Sequence, residues 1–173
     1  MSGKKGDSNG CRCHAVLQDF FANKISSPEA ATKLAAAALP ANSSASTVAE
    51  RLSYLWQLIV KTACENREYQ VKLVDVLMDL SRLPDITKPN DKKGQSEPLL
   101  VEGGRVWKDL PLLGPTVRDW WNLDIYPDTA PQERQKTTEM VVNLSRFTAL
   151  LITAEEPSQQ GTHGSRGWPS VKE

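Results

Sequence analysis

The sequence is poor in the residues that most often carry chemistry. Two histidines, His14 and His163, and three cysteines, Cys11, Cys13 and Cys64, are all it offers as imidazole or thiol. An odd number of cysteines with no secretory leader pattern gives no disulfide framework, so reduced thiols and an intracellular, cytoplasmic setting are expected. A zinc site needs about four Cys or His ligands at set spacings. The nearest approach is the cluster Cys11, Cys13 and His14, with Cys64 far away in sequence, and no metal is expected. Nucleophilic catalysis fares no better, since the chain has no G-x-S-x-G elbow and no Cys-His pair on ordered elements. Phosphate-cradling loops of the G-x-x-x-x-G-K-[ST] and G-x-G-x-x-G types are missing too, and Gly161, Gly164 and Gly167 fall in a terminal stretch. No catalytic residue and no cofactor is assigned.

Long apolar runs and an excess of charge are also missing. The longest uninterrupted apolar stretches are Leu34 to Leu39 and Ala149 to Ile152, far short of the roughly 20 residues that span a bilayer, so no membrane partner is expected. Lys plus Arg is 21 and Asp plus Glu is 21, which leaves no net field to draw the chain onto nucleic acid. Lys4, Lys5, Arg12, Lys92 and Lys93 are too scattered to form a basic stripe, so no nucleic-acid partner is expected either.

What is present is a helical core. Leu, Ile, Val and Phe make up 39 of the 173 residues, enough for one folded domain. Val16, Leu17, Phe20 and Phe21 predict a short helix at about 14–24. Ser27, Pro28 and Glu29 read as N-cap, first-turn proline and dipole-compensating acid of a second helix running to about Leu39. Thr47 and Glu50 fit a capping box, and Val48, Leu52, Leu55, Trp56, Ile59, Val60 and Ala63 follow at helical offsets, the clearest amphipathic helix in the chain. After a break near Asn66, Tyr69, Leu73, Val76, Leu77 and Leu80 repeat the pattern, so the two helices are expected to form an antiparallel hairpin. Residues 84–98 read as a Pro-containing surface loop. Leu99 to Trp107 reads as a minimal β-hairpin about Gly103-Gly104. A short helix is expected from Pro115 to about Leu123. Another is expected from Pro131 to about Glu155, with Met140, Leu144, Phe147 and Leu151 inward. Residues 1–13 and 156–173 read as disordered tails about a helical domain over 14–155. The fold expected is all-α, an irregular helical domain built on antiparallel helix hairpins.

The most unusual local feature is a tryptophan corner. Trp107, Trp120 and Trp121 lie close in sequence to Asp109, Arg118 and Asp119, and these six residues are the candidate binding surface. One reading makes them a concave aromatic site with carboxylates to hold a ligand or cation. The other makes the indoles core filling and the charges surface pairs, Asp109 with Arg118 for example; large aromatics mostly serve as core, which favours it.

Several strings are familiar together: Trp107-Lys108-Asp109-Leu110-Pro111, Arg118-Asp119-Trp120-Trp121-Asn122, and Asn143-Leu144-Ser145-Arg146-Phe147 behind the 47–84 helices. Over about residues 47–152 the chain resembles a fungal, mostly helical family of unknown function. The resemblance implies a helical fold and an intracellular setting and assigns no site residue. Members continue with further helices, which implies that part of the apolar face of 135–155 is uncovered here and open to self-association. With apolar helices and tryptophans plentiful and catalytic constellations missing, the expected function is non-enzymatic: a protein-interaction domain with a protein partner, or a homo-oligomer. The alternative is a small-molecule-binding domain or weakly marked enzyme with its pocket at the Trp107, Trp120 and Trp121 corner.

Overall fold

The computed structural model describes residues 8–39, 44–87, 97–122 and 130–154. The elements in chain order are α1 (Ser8–Phe21), α2 (Ser27–Ala38), α3 (Ala45–Glu65), a single 3-10 turn (Arg67–Tyr69), α4 (Gln70–Ser81), β1 (Leu100–Val101), β2 (Gly104–Arg105), α5 (Leu113–Trp121) and α6 (Pro131–Ala154). Among the described residues the fold is all-α with one two-stranded antiparallel ribbon. Residues 156–173 and the tip of the 84–98 loop lie outside the described residues, as do residues 1–7 of the expected N-terminal tail.

α3 is the spine. Its expected stripe, from Val48 to Ala63, is buried throughout, and Cys64 extends it. α6 crosses one side of α3 with Leu144, Phe147 and Leu151 inward, while α5, β1 and α1 meet it elsewhere. α2 is sandwiched between α1 and α4, and its buried side chains are Ala30, Ala31, Leu34 and Ala38. Three alanines among four let neighbouring backbones approach closely. α4 follows α3 across the break at Asn66, but its apolar face turns mainly to α2 and α6.

Several boundaries differ from the sequence expectation for local reasons. α1 begins at Ser8, so residues 8–13 belong to the helix; Cys13, Leu17 and Phe20, at offsets 0, 4 and 7, form a buried stripe in which the thiol serves as a small apolar group. The helix ends at Phe21 in a Schellman motif. Asn23 takes the left-handed conformation (φ 57°), its N–H reaches Phe20 O, and Lys24 N–H reaches Asp19 O while Lys24 Nζ pairs with the Asp19 carboxylate at 2.9 Å. Ser26, not Ser27, is the N-cap of α2, which frees Ser27 Oγ to donate to Asp79 Oδ2 of α4 at 2.6 Å. α3 starts before the expected capping box, because the Ser44 hydroxyl accepts the Thr47 N–H at 3.2 Å and so caps the helix first.

The ribbon turns one residue earlier than the Gly-Gly pair indicates. Leu100 pairs with Arg105 and Val101 with Gly104, leaving Glu102 (φ 49°) and Gly103 (φ 79°) at the two turn positions. Both are left-handed, the geometry of a type I′ turn matched to the twist of a hairpin. The ends of the 84–98 loop are tied together, Thr87 bridging to Pro98 and Leu99 N–H donating to Ile86 O.

A second irregular point follows. Leu110 (φ 43°) and Leu112 (φ 68°) are both left-handed on either side of Pro111, and Trp56, fully buried on α3, donates its indole N–H to Pro111 O at 2.7 Å. That bond fastens the segment before α5 to the spine. Leu112 serves as the N-cap residue of α5, which therefore begins two residues before Pro115. Proline in a first helical turn removes an N–H that has no intrahelical partner.

One polar cluster is built around a fully buried side chain. Gln70, at the start of α4, has no exposed surface. Its Nε2 donates to Ala63 O (2.9 Å) and to Asn143 O (2.7 Å), and its Oε1 accepts from Arg146 Nη1 (2.6 Å). Asn143 Nδ2 donates to Cys64 O at 2.8 Å, and Arg146 also reaches Arg67 O. The last carbonyls of α3, which have no partner within their own helix, are thus answered from α4 and α6. Among the described residues no buried side-chain nitrogen or oxygen lacks a partner.

Burial also sets the thiols. It raises Cys13, and it pushes Cys64 up to about 11, with nearby Glu65 adding to the effect. Cys11 is exposed.

Two predictions arise from this packing. Gln70→Ala removes the donor to the Ala63 carbonyl and one acceptor of the Arg146 guanidinium and opens a cavity at a fully buried position, and is expected to cost about 2–4 kcal/mol in denaturant unfolding, whereas exposed Val71→Ala stays within about 0.5 kcal/mol of the parent. A disulfide reagent at neutral pH should modify one thiol, Cys11, at once and Cys13 and Cys64 only on unfolding. Above pH 9.0 the unfolded Cys64 thiol gives up its proton while the buried one, near 11, retains it. Stability present below pH 9 is therefore lost as pH rises through 11, and unfolding midpoints of the parent should fall more steeply there than those of Cys64→Ala.

Candidate functional site

The six residues of the tryptophan corner take four different positions. Trp107 is 3% exposed and packs in the core with Val106 behind the ribbon. Asp109 folds back on the ribbon: its Oδ2 accepts the Arg105 N–H at 2.8 Å and lies 3.7 Å from Arg105 Nε, so its ion-pair partner is Arg105 where Arg118 was expected. Arg105 also reaches Asp85 at 3.4 Å, joining the ribbon to the loop after α4. Arg118, Asp119 and Trp121 are exposed on α5, Trp121 at 43%. Trp120 alone turns back over α3, half-buried, and its indole Nε1 donates to Gln57 Oε1 at 2.9 Å.

Trp120 forms one wall of a groove of about 510 Å³ that runs along a second face of α3. Thr47, Arg51, Tyr54, Leu58 and Lys61 line it from that helix, at offsets 0, 4, 7, 11 and 14. The spacing keeps them on one stripe, about 21 Å long at 1.5 Å per residue. Cys13 of α1 and Ala38 of α2 close the other side. The walls are mostly apolar: Leu58 is half-buried, Leu55 is core, and Tyr54 stands 58% exposed.

Charge sits along this stripe in small amount. Arg51 is held by the end of α2, its Nη1 directed at Ala38 O at 3.5 Å. Lys61 lies ten residues along, and Glu50 is the acid among the groove residues. Gln57 is engaged by the Trp120 indole. The Cys13 thiol, raised by burial, is protonated near neutral pH and is a poor nucleophile. The arrangement offers apolar surface with a few orienting polar groups, which is the chemistry of binding. Among the described residues no group of three or more His, Cys, Asp or Glu converges as a metal set would. Of the cluster read from the sequence, Cys11 and His14 are exposed on α1 while Cys13 turns inward.

Sequence reasoning did not single out Tyr54, Leu58 or Arg51. The signal was there in outline: α3 carries more large apolar residues than one buried stripe accommodates, and Tyr54 and Leu58 are those left over. What could not be read locally is that α1, α2 and α5 would border that second face.

The α3-to-α6 body of the fold is the part with recognisable kinship. No curated protein matches the chain, and no solved structure does. A family model does, over residues 56–165, from the middle of α3 past the end of α6, and it covers more than half of the chain. The protein belongs to the family described as protein of unknown function (DUF3632).

Proposed function

We propose that the protein is a non-enzymatic interaction domain that takes an amphipathic helix of a protein partner in the groove along α3. The observation that carries this reading is the exposed second face of that helix, where Tyr54, Leu58 and Trp120 present apolar surface next to Arg51 and Lys61. A stripe of about four turns matches the length over which an amphipathic helix lays down anchors at i, i+3, i+4 and i+7. Two cations against one acid along the stripe favour a partner helix with acidic flanks. The setting proposed is the cell interior of a fungus, on the three free thiols and the sequence resemblance. The groove volume also lies in the range of small-molecule pockets, so a second reading places an apolar small molecule with an acidic end in it.

A photo-crosslinking residue in place of Tyr54, expressed in the source cell, tests the proposal. The expected result is a covalent adduct that disappears in the Leu58→Glu variant and is not seen from exposed position 102. The captured peptide, synthesised, should quench or shift tryptophan emission of the purified parent and bind Leu58→Glu at least tenfold more weakly. A groove that yields no adduct, or a peptide indifferent to Leu58→Glu, would overturn the reading; a small molecule retained by the parent in native mass spectra and lost from Leu58→Glu would establish the second one instead.

A further inference from the structure

The two long walls of the α3 groove are not equally firm. On one side stand Cys13 and Ala38, both buried, on helices that pack against each other and, through α2, against α4. On the other stands α5, a helix of nine residues with three buried side chains, Leu113, Thr116 and Val117. What it gives the groove is the half-buried indole of Trp120, whose Nε1 donates to Gln57 Oε1 at 2.9 Å. Gln57 is itself exposed and borders the groove. Trp56 and Gln57, neighbours on α3, thus hold the two ends of α5 from different sides. Trp56 grips the entry at Pro111 O from within the core, and Gln57 grips the far end at Trp120 within reach of solvent.

The entry to α5 is where the backbone conformation suits its residues least. Leu110 O accepts the Leu113 N–H at 3.2 Å, which makes a turn with Pro111 and Leu112 at its centre. Leu112 (φ 68°, ψ −10°) holds the position of a type II turn that calls for glycine or asparagine. Leu110 (φ 43°) precedes a proline, where extended backbone is preferred. The other left-handed residues differ: Asn23 closes α1, and Glu102 and Gly103 form the ribbon turn, places where that conformation is required. Unfavourable backbone persists only where its surroundings hold it, and it gathers at clamps and switches. What is held here is a wall of the groove.

We infer that α5 is a yielding wall: an occupant of the groove parts Trp120 from Gln57, and the helix swings outward about the Leu110 to Leu112 turn, letting the leucines leave the left-handed region. The inference rests on the groove reading proposed above and names how that site is regulated. Gln57, once released, offers its amide to the occupant. The cost carried by the turn while Trp120 rests on Gln57 is returned when the two part, so it enters the affinity. The sign is fixed by this linkage. A substitution that suits the turn weakens binding, and one that removes the Gln57 tether strengthens it.

Titration of the full chain with the dye anilinonaphthalene sulfonate, apolar with one acidic end, tests this. Binding should be lost in Leu58→Glu, which places the dye in the groove. Leu112→Asn suits both the turn and the N-cap of α5, and should bind the dye at least about fivefold more weakly, with Leu112→Gly moving the same way. Gln57→Ala, at an exposed helical position, should bind it at least about twofold more tightly. The Trp120 indole N–H resonance, identified by its loss in Trp120→Phe, should move on dye saturation toward its position in Gln57→Ala. Dye binding that needs Leu58 yet is the same in Leu112→Asn, Gln57→Ala and the parent would overturn the inference and leave the groove reading standing, as would a Trp120 resonance that stays in place. A dye that does not bind, or that binds Leu58→Glu as well as the parent, removes the groove as a site for such ligands and this inference with it.

Discussion

The fold depends on the placement of one uncharged amide inside it. Gln70 stands at the junction where α3 ends, α4 begins and α6 passes over, and its two ends face opposite demands. Its NH₂ answers the carbonyls of Ala63 and Asn143, and its oxygen receives Arg146. A leucine of similar size would fill the volume and leave the Ala63 carbonyl without its donor and the Arg146 guanidinium without one acceptor, so the position selects glutamine for its bonding pattern as much as for its shape. α6 is held at the height that buries Leu144, Phe147 and Leu151 because Asn143, on the same helix, is fixed to the end of α3 and Arg146 to the 3-10 turn that follows it.

The same N-terminal end of α4 is also anchored on its other side, by a different chemistry. Lys72 donates to Phe21 O and to Asn23 Oδ1, at the C-terminal end of α1 where the helix dipole is negative, and its ammonium lies 5.6 Å from the Phe20 ring centre. Phe21 stacks on Tyr69 at 4.0 Å, nearly parallel. A turn that leaves α1 and a turn that enters α4 are thereby made into one unit, and the alanine-rich α2 between them needs no large side chain to keep its place.

Helix existence was legible in the sequence wherever one face was strongly periodic. The α3 stripe, the Leu73 to Leu80 repeat and the Leu144, Phe147, Leu151 series are buried as the offsets require. Boundaries were less legible, because each depends on a competition among nearby caps: Ser26 against Ser27, Ser44 against Thr47, Glu102-Gly103 against Gly103-Gly104. In the tryptophan corner, nearness in sequence did not translate into a shared surface. Trp107 belongs to the core, Trp120 to the groove, and Trp121, the very next residue, to the outer side of α5, since adjacent helical residues point about 100° apart. Gln70 was invisible for a related reason. A glutamine on an apolar stripe carries no local mark of the three partners that make its burial tolerable, and two of them lie more than 70 residues away.

Leucine in the left-handed region is an expensive choice, about 1–2 kcal/mol per residue, and the chain makes it twice, at Leu110 and Leu112. The bend so formed behaves as a compressed spring, latched to α3 by the indole of Trp56 on Pro111 O. Since α5 starts at the next residue and carries Trp120 to the groove, groove width and core packing become one mechanical variable. Anything that loosens Trp56 inside the domain is felt as movement of a wall at its surface.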